Sequence, residues 1–303
     1  MTHNTSKQSY GNMKYKNRIL FLCITIMSCL MTEAKTTLSE VTYTHKDSLK
    51  IVSLLREAKE QKKAPGSWML WFGKKFAGIP YVGGTLDRAD TEKLVVNTRQ
   101  LDCTTYVETV LALSRCAVRK ATSFIDYCEE LKQIRYIGGE MAYTKRQHYF
   151  TVWMDNNEKE GIVKNITANP PFTAVQEIHL HWMSTHQSSY KMLTAHPKWL
   201  AGIKEMEQKE EGKRWPYIPK ENIVNTPLLR NTIHDGDILV ILTNKKGLDT
   251  SHIGIASWHS DGLHLLNASS IHKKVIDEPM LLRTYMARKA SRIGIRVCRQ
   301  VTP

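Results

Sequence analysis

Apolar residues recur along this chain with two different periods. Leu49, Val52, Leu55 and Ala58 are spaced as one face of a helix, which predicts an amphipathic helix over 47–62. Pro65-Gly66 breaks it, and 67–77 reads as a second, short helix. Ile79-Pro80-Tyr81-Val82-Gly83-Gly84 cannot be helical and is expected as a loop. A third helix is predicted to open at Asp102, a good N-cap, and to run through Val107, Val110, Leu111 and Leu113. Near the C-terminus the period changes. Residues 237–242, 252–256, 262–266 and 293–297 are short apolar runs between turn residues, as strands are. Helices first and sequential strands afterwards predict an α+β fold with a mostly antiparallel C-terminal sheet. Between them, 136–235 combines prolines and aromatics with weak periodicity. We expect it to be an elaboration on one core, and the place where substrate is selected.

The N-terminus carries a third pattern. Lys14, Lys16 and Arg18 precede a 13-residue apolar run, Ile19 to Met31. That run is short for a bilayer span but suits a signal peptide, with cleavage after Ala34. A buried hydrophobic helix is the competing reading. The expected organisation is a signal peptide at 1–34 and one domain at 35–303. Ile26-Met27-Ser28-Cys29 is an alternative lipid-attachment box, poorly matched at Met27. The expectation is therefore export to the periplasm or cell envelope, with any membrane attachment made through Cys29.

Charge is the one unusual quantity. The 303 residues include 43 Lys+Arg and 29 Asp+Glu, a net +14, which suggests an anionic partner. Loss of the signal leaves 39 basic and 28 acidic residues, or +11. Lysines and arginines are scattered without an aromatic-interleaved basic motif, so nucleic acid is not expected. There is no G-x-G-x-x-G and no phosphate-binding G-x-x-x-x-G-K-[ST], which argues against nucleotide folds. Six cysteines are too few for a disulfide-built scaffold. Glu177, His179, His181 and His186 lack a further ligand at metal spacing, so neither metal nor cofactor is expected.

Cys103 falls in the first turn of the third predicted helix, where aligned N–H groups stabilise a thiolate. Asp102 opposes this by like-charge repulsion, so a base is needed. His252 opens a predicted strand, and Asn267 ends the next one, where it could orient the imidazole. Together they suggest Cys–His–Asn acyl-transfer chemistry. The hairpin register decides the contact. A four-residue loop, Trp258 to Asp261, sets His252 opposite Asn267. A two-residue Asp261-Gly262 turn pairs His252 with Ile271 and leaves Asn267 roughly 13 Å away. Spacing alone also allows a buried structural Cys103 and a merely hydrogen-bonded His252.

Tyr81-x-Gly83-Gly84, Leu101-Asp102-Cys103, His252-Ile-Gly-Ile255 and Asn267-Ala-Ser269 occur in the order found in NlpC-type cell-wall cysteine peptidases, which the chain resembles. Gly84-Thr-Leu86, Glu92-x-Leu-Val-Val-Asn97, Leu101 to Glu108, and Arg146-x-His148-Tyr149 with Trp153 resemble one branch of that superfamily. That branch was formerly catalogued as a domain of unknown function and includes N-acetylmuramoyl-L-alanine amidases. The resemblance spans about 45–300. It implies a papain-like core and hydrolysis of the amide joining muramic acid to L-Ala, with soluble anhydro-muropeptides as substrate. It implies Cys103 as nucleophile, His252 as base, Asn267 as its holder and Tyr81 near the oxyanion. Arg146, His148 and Tyr149 match the branch motif and are the expected substrate-binding residues; Glu92 and Glu108 are expected to be structural. Cleavage of the γ-D-glutamyl–diamino acid bond, or muropeptide binding without catalysis, are the alternatives.

Overall fold

The computed structural model describes residues 36–302. Within them, β1 (Val41–Thr42), α1 (His45–Lys59), α2 (Trp68–Lys74) and β2 (Leu94–Val95) precede α3 (Cys103–Val118), α4 (Phe124–Arg135) and α5 (Phe150–Lys159). The middle contributes β3 (Val163–Ile166), β4 (Ala174–Glu177), α6 (Trp182–Thr185), α7 (Lys191–Ala195), α8 (Leu200–Glu210), β5 (Arg214–Pro219) and α9 (Pro227–Thr232). Then come β6 (Ile238–Thr243), β7 (Thr250–Trp258), β8 (Leu263–Ser269), β9 (Lys274–Asp277), α10 (Leu282–Ala287) and β10 (Arg292–Gln300). The fold is α+β. The proposed signal segment, with Cys29, lies outside the described residues.

An eight-stranded sheet runs β4-β5-β10-β6-β7-β8-β9, with β3 also on β10. All its pairings are antiparallel. All six residues of β6 are buried, because both faces of the sheet are covered. Val240, Ile253, Ile255 and Leu266 face a core shared with the helices. Leu239, Ile241, Leu265 and Ile295 face a second core closed by Leu282, Tyr285 and Met286 of α10. The middle of the chain is thus partly continuous with the sheet, through β3, β4 and β5. It also carries its own cluster, including Tyr149, Ile178, Met183, Leu193 and Ile203.

Helix α3 packs against β7 and β8 on one side and against α1, α2 and α4 on others, which explains its unbroken burial from Thr105 to Cys116. The buried face of α1 is Asp47, Ile51, Leu54, Leu55 and Ala58, which keeps Leu55 and Ala58 of the expected stripe but leaves Val52 half-buried and Leu49 55% exposed. Asp47 sets this rotation. Its carboxylate accepts from Thr44 at the helix start, from Thr98 N–H and hydroxyl at 2.8 and 2.9 Å, and from Arg99. Burial opposes ionisation there, but those hydrogen bonds outweigh it and bring the carboxyl down to about 2. The result ties the start of α1 to the segment that leads into Cys103.

Candidate active site

Three chain segments meet at the start of α3. Asp102 caps the helix by accepting from Thr105 N–H at 2.8 Å, while Thr105 Oγ1 accepts from Asp102 N–H at 3.0 Å. This reciprocal cap fixes Cys103 at the first helical position. The extended stretch before Gly83 lies between two neighbours. Tyr81 N–H donates to Lys273 O on one side, and Val82 N–H to Leu101 O on the other. Tyr81 forms a parallel bridge with Leu101, two residues before the cysteine. The third segment is β7, whose Ile253 N–H stabilises the Cys103 thiolate, as does Thr104.

Burial nevertheless dominates at Cys103 and, with Asp102, pushes its thiol up to about 12. Burial, then Cys103 and Asp102, raise the Tyr81 phenol to about 12 as well. Burial pulls His252 down to about 4, against the help of Asn267. At neutral pH the resting site therefore holds a thiol, a phenol and a neutral imidazole.

The imidazole's tautomer follows from its partners. Asn267 Nδ2 donates to Leu265 O at 3.0 Å, which turns Oδ1 toward His252. Oδ1 can only accept, so His252 Nε2, 2.9 Å away, carries the hydrogen. Nδ1 is left with its lone pair, the form a general base requires.

Neither expected hairpin register occurs. Trp258 pairs with Leu263 and Ile255 with Leu266, giving a four-residue loop shifted by one position. Continued along the strands, this register sets Asn267 across from Gly254, so His252 and Asn267 meet diagonally, two residues apart on one face. Gly254 makes room for the diagonal. A Cβ there would lie 2.7 Å from Leu265 Cδ1 and 3.0 Å from Asn267 Cβ. A bulge also precedes His252, since Ile241 pairs with His252 but Leu242 with Thr250. The extra residue re-aims the strand at the site.

The expected substrate-binding motif is built otherwise. Arg146 is buried and meets Asp87, Glu92 and the Leu86 carbonyl, over the Tyr143 ring. His148 Nε2 contacts Tyr143 O at 2.8 Å, and burial, reinforced by Arg146, drives its pKa to about 3. Tyr149 donates to Glu207 at 2.7 Å and accepts from Met183 N–H. Arg146, one of the three expected substrate-binding residues, thus ties the middle segment to the stretch at 86–92, while His148 and Tyr149 join parts of the middle segment to one another. Glu108 and Glu92 are structural: Glu108 pairs with buried Arg135 at 2.7 Å, and Glu92 accepts from Tyr136. His179 contacts Glu211 and Glu177, and His186 stacks on Trp182.

Sequence reasoning missed Tyr285. Its ring centroid is 6.3 Å from that of His252, and its phenol interacts with Cys103 and Arg292. It arrives from α10, which carries no motif, so no local signal marked it. Cys103 and the buried Cys116, Cys128 and Cys298 are all free.

Comparisons with known proteins place this geometry in a family. The AmiA-like family, described as N-acetylmuramoyl-L-alanine amidase-like, matches residues 71–295. An N-acetylmuramoyl-L-alanine amidase from Bacteroides uniformis, solved at 1.15 Å, is 36% identical; the alignment covers 78% of this chain and 99% of that one, with a TM-score of 0.73. A Legionella pneumophila protein shares the fold at 24% identity and a TM-score of 0.66, covering 84% of this chain and 95% of its own. No curated protein matches. An amidase-like enzyme acting on peptidoglycan-derived material is the activity these relatives support. The chain belongs to the N-acetylmuramoyl-L-alanine amidase-like family.

Proposed function

We propose that the chain is an exported cysteine amidase that hydrolyses the bond between N-acetylmuramic acid, in its 1,6-anhydro form, and the L-Ala of a stem peptide. The observation that carries this reading is the His252–Asn267 contact, which leaves the lone pair on Nδ1 of the residue just before Ile253, whose N–H reaches Cys103. Cys103 Sγ attacks the lactyl carbonyl as its proton passes to His252 Nδ1. Ile253 N–H and the helix start stabilise the sulfur as it gains charge, and the Tyr81 phenol donates toward the developing oxyanion. Collapse breaks the C–N bond, His252 returns the proton to the departing amine, and water then hydrolyses the thioester. Because thiol and imidazole both rest neutral, proton transfer accompanies attack rather than preceding it.

Export rests on the basic, apolar N-terminal pattern, with Cys29 as the residue for any lipid anchor. The test is digestion of anhydro-muropeptides with product masses measured. Disaccharide plus intact stem peptide supports the amidase. A disaccharide still bearing a dipeptide indicates the γ-D-glutamyl endopeptidase instead.

A further inference from the structure

We propose that the cavity beyond Gly83 and Gly84 is a subsite for the distal, doubly charged end of the stem peptide; this rests on the amidase reading above. The cavity, about 640 Å³, lies between the loop at 83–90 and the middle segment at 189–195. One tie joins its two walls, and a second anchors one of them. His196 Nε2 bonds Asp90 O at 2.7 Å across the cavity's two sides, and buried Arg146 grips Asp87 from behind. The space is therefore built into the fold rather than left between loose loops.

Its chemistry is specific in sign. The Asp90 carboxylate and the Lys191 ammonium are exposed in the lining and have no protein partner among the described residues. Arg88, also in the lining, spends one Nη on Gln100 and keeps its remaining donors. Free groups of both signs match a ligand end that carries an ammonium and a carboxylate together. Met192 and Ala195 add small apolar surface, whereas among the described residues no aromatic ring lines the cavity to stack on a sugar face. Those features favour the peptide over the disaccharide.

Reach agrees. Gly84 follows Tyr81 by three residues, at most about 10 Å of chain. The third residue of a stem peptide lies a similar distance from the scissile amide, and in L-Ala–γ-D-Glu–diamino acid stems that residue bears both a free amine and a carboxylate. Placing it here explains why the wall is supplied by the middle segment, which the catalytic core does not need.

The test is calorimetric titration of the Cys103→Ala protein with anhydro-muropeptides bearing a dipeptide or a tripeptide. The tripeptide is expected to bind about tenfold more tightly. An Asp90→Ala/Lys191→Ala double variant should abolish that advantage and leave dipeptide affinity unchanged, since both residues are exposed and a dipeptide stem ends before the cavity. An equal advantage in the double variant, or none in the parent protein, overturns the subsite. Cleavage by the wild-type chain is read separately: length-dependent binding without cleavage would sink the catalytic reading and leave the subsite standing.

Discussion

Asn267 determines what His252 can do. Its amide is locked by Leu265 O, so the ring is held in one tautomer without any titrating partner. In the proposed mechanism the imidazole is the base, so His252→Ala should lower kcat by about 10²–10⁴-fold. Asn267→Ala leaves a base that is free to rotate and flip tautomer, so kcat should fall less while KM stays constant. Steady-state kinetics on one anhydro-muropeptide check both; equal losses would mean that Asn267 has a further role. At this scale the sequence was readable where a local motif dictates geometry, as at the Asp102 cap that places Cys103. It was ambiguous at Arg146, His148 and Tyr149. An arginine followed by aromatics has the same composition whether it grips a substrate or, as here, Asp87 and Glu92.

Among the elements, α3 begins where an Asp N-cap predicts and β6 is the continuous apolar run expected of a strand covered on both faces. The strands of the middle were not legible. Val163-Lys-Asn-Ile166 and Ala174-Val-Gln-Glu177 are short and half polar. Strand β5 contains Pro216 and Pro219, which argue against a strand yet pair with Val175 and Gly294. The hairpin register escaped for a different reason: three loop choices fit the residues, and the packing of whole sheets selects among them. That register makes a prediction. Gly254→Val would place branched carbons where only 2.7–3.0 Å is available to Leu265 and Asn267. Displacement of Asn267 should lower kcat about as far as Asn267→Ala does, with the protein still folded by circular dichroism. Full activity in Gly254→Val would show that the diagonal contact is dispensable.

Over the whole molecule, the net charge of +14 proved less informative than the length, because the surplus beyond a catalytic core became sheet edge, a separate hydrophobic cluster and one wall of a cavity. Two desolvated, half-buried imidazoles also give the fold a pH dependence. His148 and His252 sit at about 3 and about 4 when folded, below the ordinary 6.5, so the unfolded chain binds more protons between those values. Their contribution to stability is complete above pH 6.5 and is lost as pH falls toward 3. Asp47 extends the loss from 3.8 down to about 2. The urea midpoint should therefore drop steadily from pH 7 to pH 4; a constant midpoint would contradict these burial effects. The central claim concerns a single sulfur in this assembly. Its most direct test is the rate at which purified wild-type and Cys103→Ala proteins release free stem peptide from an anhydro-muropeptide. The account predicts intact stem peptide from the wild type and none above background from Cys103→Ala; equal release by both would contradict it.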